Sequence, residues 1–121
     1  MTSSQLDKMR LELRRGVLVL AVLASLKQPH YGYSLRKQLQ DRGIDIDEGT
    51  LYPLLDRLKR EALVDAQWVQ EGDVRPRKYY SLYDTGHQKL ADLITLWRQS
   101  VLDIEFLLAH PGPDVLPVQG E

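Results

Sequence analysis

Glu48-Gly49-Thr50-Leu51-Tyr52-Pro53-Leu54-Leu55-Asp56-Arg57-Leu58 is the stretch on which the reading of this chain depends. Leu51, Leu54, Leu55, Leu58 and, just beyond, Ala62 recur at steps of three and four, the spacing of one buried face on a helix. The opposite face offers Thr50, Tyr52, Pro53, Arg57 and Arg60, with Lys59 beside them. Short hydrogen-bonding groups near the N-terminus and cations further along suit a polyanion, because phosphates favour both the helix dipole and the positive side chains. Pro53 bears on where this helix starts. With the Thr50 hydroxyl as cap it falls in the first turn, where no backbone donor is needed; a start near Asp47 forfeits one hydrogen bond. Both starts are compatible with the leucine spacing.

Working outward toward the C-terminus, two strand-like segments follow, 63–70 and 78–83, rich in Val, Trp and Tyr and joined by a loop over 71–77. They predict a β-hairpin whose tip is basic, since Arg75, Arg77 and Lys78 fall within four residues and Pro76 stiffens the loop between them. Asp84 is a candidate cap for a long final helix over 85–108, which Pro111 and Pro113 close. Leu90, Ile94, Trp97, Val101, Ile104 and Leu108 alternate steps of four and three, the a and d positions of a heptad. Such a row predicts pairing with a second copy, with Leu13 and Val17 of the first helix joining the interface. A tryptophan at a heptad core position is too large for close two-stranded packing. The helices are therefore expected to splay around Trp97, leaving space bounded by Gly16, Val17, Ile94 and Val101 for a flat hydrophobic ligand, unless the indole itself fills the gap.

Toward the N-terminus, a helix over about 30–42 carries Tyr31, Leu35 and Leu39 on one stripe, with Gly43 as its stop. Its Tyr31, Ser34 and Lys37 are candidates to fasten a DNA backbone and set register. Before it, residues 6–27 read as a helix buried on most sides, ended by Gln28-Pro29. The apolar run within it, 16–26, is about half the roughly 20 residues that span a bilayer, so no membrane association is expected. Arg10, Arg14 and Arg15 before that run imitate a secretory leader, but Asp7 and Glu12 interrupt the basic stretch, and the expected location is cytoplasmic.

The order helix, helix, helix, hairpin, helix is that of a winged helix-turn-helix followed by a long C-terminal dimerisation helix: mainly α, with a small β-hairpin wing. Three parts are expected: a DNA-binding unit over 1–83, a dimerisation helix over 84–108 and a flexible tail over 109–121. Charge follows this division. Residues 1–83 hold 14 Lys/Arg against 11 Asp/Glu, a net of +3, and residues 84–121 hold 2 against 6, a net of −4. The absence of cysteine among the 121 residues removes disulfides, thiolate metal sites and cysteine nucleophiles. His30, His87 and His110 stand apart without ligand or acid-base partners at helical spacing. Neither metal, cofactor nor catalysis is therefore expected. A winged helix that pairs with an acidic protein instead of DNA is the alternative.

The central stretch, together with Arg75-Pro76-Arg77-Lys78-Tyr79-Tyr80-Ser81-Leu82, Arg15-Gly16-Val17-Leu18 and His30-Tyr31-Gly32-Tyr33, resembles the PadR family of bacterial transcriptional regulators over about residues 9–108. The resemblance implies a winged-helix homodimer that represses transcription from an inverted-repeat DNA operator, its last helix exchanging contacts with the partner copy. A single C-terminal helix is similar to the short subfamily, which includes multidrug-responsive repressors. Trp97 matches a tryptophan that in some members lines a drug-binding cavity between subunits, which implies a small hydrophobic inducer. The chain departs from the family at Ala62, where glycine is frequent and where alanine is expected to tighten the helix exit. It departs again at Tyr83, where a threonine commonly caps the last helix, so Asp84 or Thr85 is expected to cap instead.

Overall fold

The computed structural model describes residues 3–116. Its elements run α1 (Ser3–Ser25), β1 (His30–Tyr31), α2 (Gly32–Asp41), α3 (Glu48–Arg60), β2 (Val64–Val69), β3 (Arg77–Leu82) and α4 (Asp84–Ala109). The core forms where the C-terminal half of α1 meets α2 and α3: Val22, Leu23 and Leu26, Leu35 and Leu39, and Leu51, Leu55 and Leu58 are all buried. Leu63, Val64 and Tyr80 extend it under the sheet, and Leu90 closes it from α4.

Beyond the expected hairpin lies a third strand. β1 pairs antiparallel with β3, His30 opposite Tyr80 and Tyr31 opposite Tyr79, giving the sheet order β1-β3-β2. A helix beginning at His30 was the sequence expectation; β1 takes His30 and Tyr31 because strand pairing over a long sequence distance satisfies their backbone groups, and α2 starts at Gly32. In the hairpin itself the register runs from Val64 opposite Leu82 to Val69 opposite Arg77.

Two helices end in the same way with different residues. After α2, Gly43 lies at φ +81°, its N–H donating to the Gln40 carbonyl and that of Ile44 to the Leu39 carbonyl. After α3, Ala62 lies at φ +58°, its N–H donating to the Lys59 carbonyl and that of Leu63 to the Leu58 carbonyl. Both are Schellman exits, with an apolar pair, Leu39 and Ile44 or Leu58 and Leu63, drawn together across the turn. Alanine therefore strains the α3 exit, since its Cβ opposes the left-handed conformation that glycine adopts without cost.

The last helix begins at Asp84, one residue earlier than expected. Tyr83 holds the N-cap position without a side-chain cap bond, Asp84 is in the first turn, and the Thr85 hydroxyl donates to the Ala62 carbonyl. Gly86 is required by this junction: a Cβ there would stand 2.0 Å from the Leu63 carbonyl oxygen. The N-terminal half of α1 also differs from the expectation of burial on most sides. Leu6, Met9, Leu11 and Leu13 are exposed because α2 and α3 pack only on its C-terminal half. The expected tail is described as irregular chain over 110–116, and residues 117–121 lie outside the described residues.

These exits predict opposite effects of two small substitutions. Ala62→Gly should raise stability by about 0.5–1 kcal/mol by relieving the positive φ, whereas Gly86→Ala should cost about 2 kcal/mol or more through a clash with backbone. Urea denaturation of both variants measures this. A stabilised Gly86→Ala or a destabilised Ala62→Gly would contradict the geometry.

Candidate nucleic-acid interface

The turn between α2 and α3 is built from side chains that were not singled out in the sequence. Arg36 donates through Nε to the Ile46 carbonyl at 3.1 Å and pairs through a terminal nitrogen with Glu48 at 3.2 Å. Asp47, not Thr50, caps α3: its Oδ1 accepts from the Thr50 N–H at 2.8 Å. With the helix starting at Glu48, Pro53 lies inside it, and the hydrogen bond a donor there would make to the Gly49 carbonyl is forfeited. The earlier start prevails because Asp47 supplies a charged cap and Arg36 secures the residues on either side of it.

On α3, Leu51, Leu55 and Leu58 face the core, and Thr50, Tyr52, Pro53, Arg57, Lys59 and Arg60 are all exposed, as the periodicity requires. Capping by Asp47 leaves the Thr50 hydroxyl out of that role. Arg57 pairs with Glu61 at 3.3 Å across one helical turn, a half-exposed contact that is readily exchanged for a phosphate or a base edge. Tyr52 leans back on α2. A Cβ at Gly32 would stand 2.0 Å from its hydroxyl oxygen, so glycine at the start of α2 admits the phenol.

The candidates on α2 are placed unequally. Lys37 is exposed and only 3.9 Å from Asp41. Ser34 is half-buried and engaged within the chain, its hydroxyl donating to the Tyr31 carbonyl and lying 3.0 Å from His30 Nδ1. Since the serine proton goes to Tyr31, His30 must donate from Nδ1; burial holds the imidazole pKa below its ordinary value, in keeping with a neutral ring there.

Tyr31 connects the helix-turn-helix to the wing. Its ring packs edge-on against Tyr79 at 5.5 Å, and the Arg77 guanidinium lies over it at 4.5 Å. Lys78 lies 5.7 Å over Tyr80, and Arg75 is exposed in the loop 70–76. Gln70 braces that loop by donating to the Gly72 and Val74 carbonyls. Thus α3, the start of α2 and the wing present Tyr52, Arg77 and Lys78 on one cleft, together with Tyr33 and Trp68, which the sequence reading passed over. An alternating strand pattern that leaves a tryptophan unburied was the available signal for Trp68.

At the other end of the protomer, the heptad row divides. Leu90 is only 1% exposed and belongs to the chain's own core, so it is not open to a partner as expected, whereas Ile94 packs against that core and keeps part of its surface exposed. Trp97, Val101, Ile104 and Leu108 are exposed, as are Leu13 and Val17 on α1. A groove of about 310 Å³ lies between α1 and α4, lined by Gly16, Val19, Leu20, Leu93, Leu96, Trp97 and Ser100. Gly16 and Trp97 meet there; Val17, Ile94 and Val101 do not line it, because α4 turns Leu93, Leu96 and Ser100 toward α1 instead. Among the described residues no helix is long and apolar enough to cross a membrane, and no group of three or more His, Asp or Glu is placed to hold a metal.

Three helices and a wing with cations around an exposed helix define a winged helix-turn-helix DNA-binding protein. Residues 19–92 match the transcriptional regulator PadR-like family, and the chain belongs to it. It is similar to a PadR family transcriptional regulator from Eggerthella lenta, 42% identical, with a TM-score of 0.79 over 87% of this chain and 93% of that one. It is also similar to a PadR-like transcriptional regulator from Bacillus cereus, 30% identical, with a TM-score of 0.73 over 82% and 98%. An uncharacterized protein of Lysinibacillus sphaericus is 29% identical over 94 residues, 74% of this chain and 86% of that protein. The chain is accordingly a DNA-binding transcriptional regulator, of a family whose members regulate transcription and do not as a rule catalyse reactions.

The close approach of Tyr52 to α2 yields a prediction. Gly32→Ala should displace the phenol, because the clash is with the tip of a mobile side chain, and should cost less than about 1 kcal/mol. The ring resonances of Tyr52 and the unfolding midpoint report the two effects. An unmoved Tyr52, or a loss as large as that of Gly86→Ala, contradicts it.

Proposed function

We propose that this protein is a homodimeric repressor that binds an inverted-repeat operator, inserting α3 of each copy into the major groove. The observation that carries the reading is a division of surfaces. Cations and aromatic side chains gather at one end, around α3 and the wing, while Trp97, Val101, Ile104 and Leu108 of α4 and Leu13 and Val17 of α1 leave apolar surface uncovered at the other. Contiguous apolar surface of this kind marks an association site, and the two-fold symmetry of a homodimer matches a palindromic operator. Paired recognition helices then sit roughly 34 Å apart, one turn of DNA.

Within that assembly Thr50, Tyr52, Pro53 and Arg57 face the major groove, Lys59 and Arg60 the adjoining phosphates, and Arg75, Arg77 and Lys78 the backbone as an electrostatic anchor. Tyr31, Ser34 and Lys37 adjoin the same strand, Ser34 through its helix terminus because its own hydroxyl is engaged. Arg77→Ala should weaken binding to all sequences alike and lower the salt slope by roughly one, while loss of Arg57, if it reads a base, should cost about 1–3 kcal/mol at one operator position. Binding titrations over a salt series, on operator and altered duplexes, distinguish the two. Retention of an acidic protein but of no duplex would favour the interaction-module alternative.

Pairing is best tested away from Ile94, which is half-buried against the protomer's own core, so that a charge there would also disturb the packing of α4. Val101→Glu with Ile104→Glu, both exposed, should give a folded monomer that no longer holds the operator. Sedimentation measures it, and a tight dimer would reject this interface.

The groove beside Trp97 supports a second element of the reading: an inducer that is planar and hydrophobic, as in multidrug-responsive members of the short subfamily. Its lining is almost wholly apolar, with the Ser100 hydroxyl as a polar handle. Such a ligand must favour a helix spacing that DNA does not, since equal affinity for both states shifts nothing. Planar aromatics should then quench Trp97 and release the operator together, and Trp97→Ala should abolish both.

A further inference from the structure

The face of the wing turned toward α3 carries an aromatic side chain that folding does not use. Trp68 stands on β2 opposite Lys78 and is 71% exposed. Leaving so large an apolar surface in water forgoes the stabilisation that burial would bring, and with Tyr33 and Tyr52 exposed beside it the surface is a clustered patch of the kind that marks a binding site. Tyr33, also exposed, and Tyr52 line the same cleft of about 350 Å³, together with Arg77 and Lys78.

Apolar ring faces interleaved with fixed cations match one chemical partner closely. A sugar–phosphate strand presents the C–H faces of deoxyribose and the charge of phosphate in alternation, at the scale of neighbouring side chains. We propose that this cleft seats one strand of the duplex backbone, with Trp68 packed on a deoxyribose and Arg77 and Lys78 on the phosphates beside it. This rests on the reading of the chain as a duplex-binding regulator and adds to it an uncharged anchor that is blind to sequence.

The cations of the cleft are held in advance. Arg77 is supported by the Tyr31 ring at 4.5 Å and Lys78 by Tyr80 at 5.7 Å, so less side-chain freedom is lost when a strand arrives. A duplex strand is favoured over unstacked bases because the cleft adjoins α3, whose exposed face is suited to a major groove, and the backbone strand bordering that groove passes between helix and wing.

The test uses the full-length protein with its operator and an unrelated duplex, over a salt series. Trp68→Ala should bind both about tenfold more weakly, the loss expected for a ring face returned to water, with the slope of log K against log salt unchanged. Trp68→Phe should recover most of the affinity, and Arg77→Ala should lower the slope. The unfolding midpoint of Trp68→Ala should match that of the wild type, because the side chain is exposed.

Wild-type affinity in Trp68→Ala, or a lowered slope, overturns the proposal. So does a loss larger on a single-stranded oligonucleotide than on the duplex, which would make Trp68 a base-stacking residue. A wild-type chain that holds no duplex at any salt removes the underlying reading along with the cleft, whereas a wild type that binds beside an unaffected Trp68→Ala removes the cleft alone.

Discussion

Burial of Leu51, Leu55 and Leu58 against α1 and α2 is the constraint from which the rest of the DNA-facing end follows. Each leucine contributes about 1.5–3 kcal/mol relative to exposure, so a rotation of α3 by even one residue would forfeit several kcal/mol. That apolar preference, and no polar contact, determines that Thr50, Pro53, Arg57 and Arg60 point outward. Polar groups then set the ends: Asp47 caps the start, Arg36 secures the turn on both sides of it, and the left-handed Ala62 redirects the chain into β2. A helix so confined presents one face to a groove without ordering itself on binding, which keeps the entropic cost of recognition low.

The wing is tied to the same unit through an unusually short strand. Pairing of His30 and Tyr31 with β3 makes the residue before α2 part of the sheet. Tyr31 then carries the tie into side chains, with Tyr79 at its edge and Arg77 on its face. Helix and wing consequently form one body, and the cleft between them has a defined width. Glycine at position 32 belongs to this design, because any larger residue would push Tyr52 out of the cleft wall.

Satisfaction is distributed unequally along the protomer. The core spends its leucines near the C-terminal half of α1, while the first half of that helix and the last turns of α4 leave Leu11, Leu13, Trp97, Ile104 and Leu108 in water. That same C-terminal helix is mildly acidic, with Asp84, Asp92, Asp103 and Glu105 against Lys89 and Arg98, in contrast to the basic wing. Opposite charge at the two ends orients the molecule toward a polyanion before contact, since the basic end is attracted and the acidic end repelled. This suits the proposed pairing, in which the apolar ends meet and the basic ends face DNA.

The amino-acid sequence by itself determined what local periodicity and short motifs can encode: the leucine face of α3 with its polar complement, the two strands of the hairpin with the cations at the wing, the long heptad row of α4, the Gly43 exit and the family. These depend on residues a few positions apart, so the signal survives without coordinates. Tertiary structure decided the rest. The strand at His30 exists through a partner about fifty residues away, and α3 starts at Glu48, capped by Asp47, with Arg36 arriving from another helix to hold the turn. Leu90 and Trp97 occupy equivalent heptad positions, yet one is buried in its own protomer and the other is 48% exposed, since only the first turns of α4 meet the core. Ala62 looked benign until its backbone was seen at positive φ, and only the packed sheet shows Trp68 left in water. A side-chain pattern states which residues share a face; which face finds a neighbour is settled only when distant segments pack, because burial belongs to the pair of surfaces and not to either one.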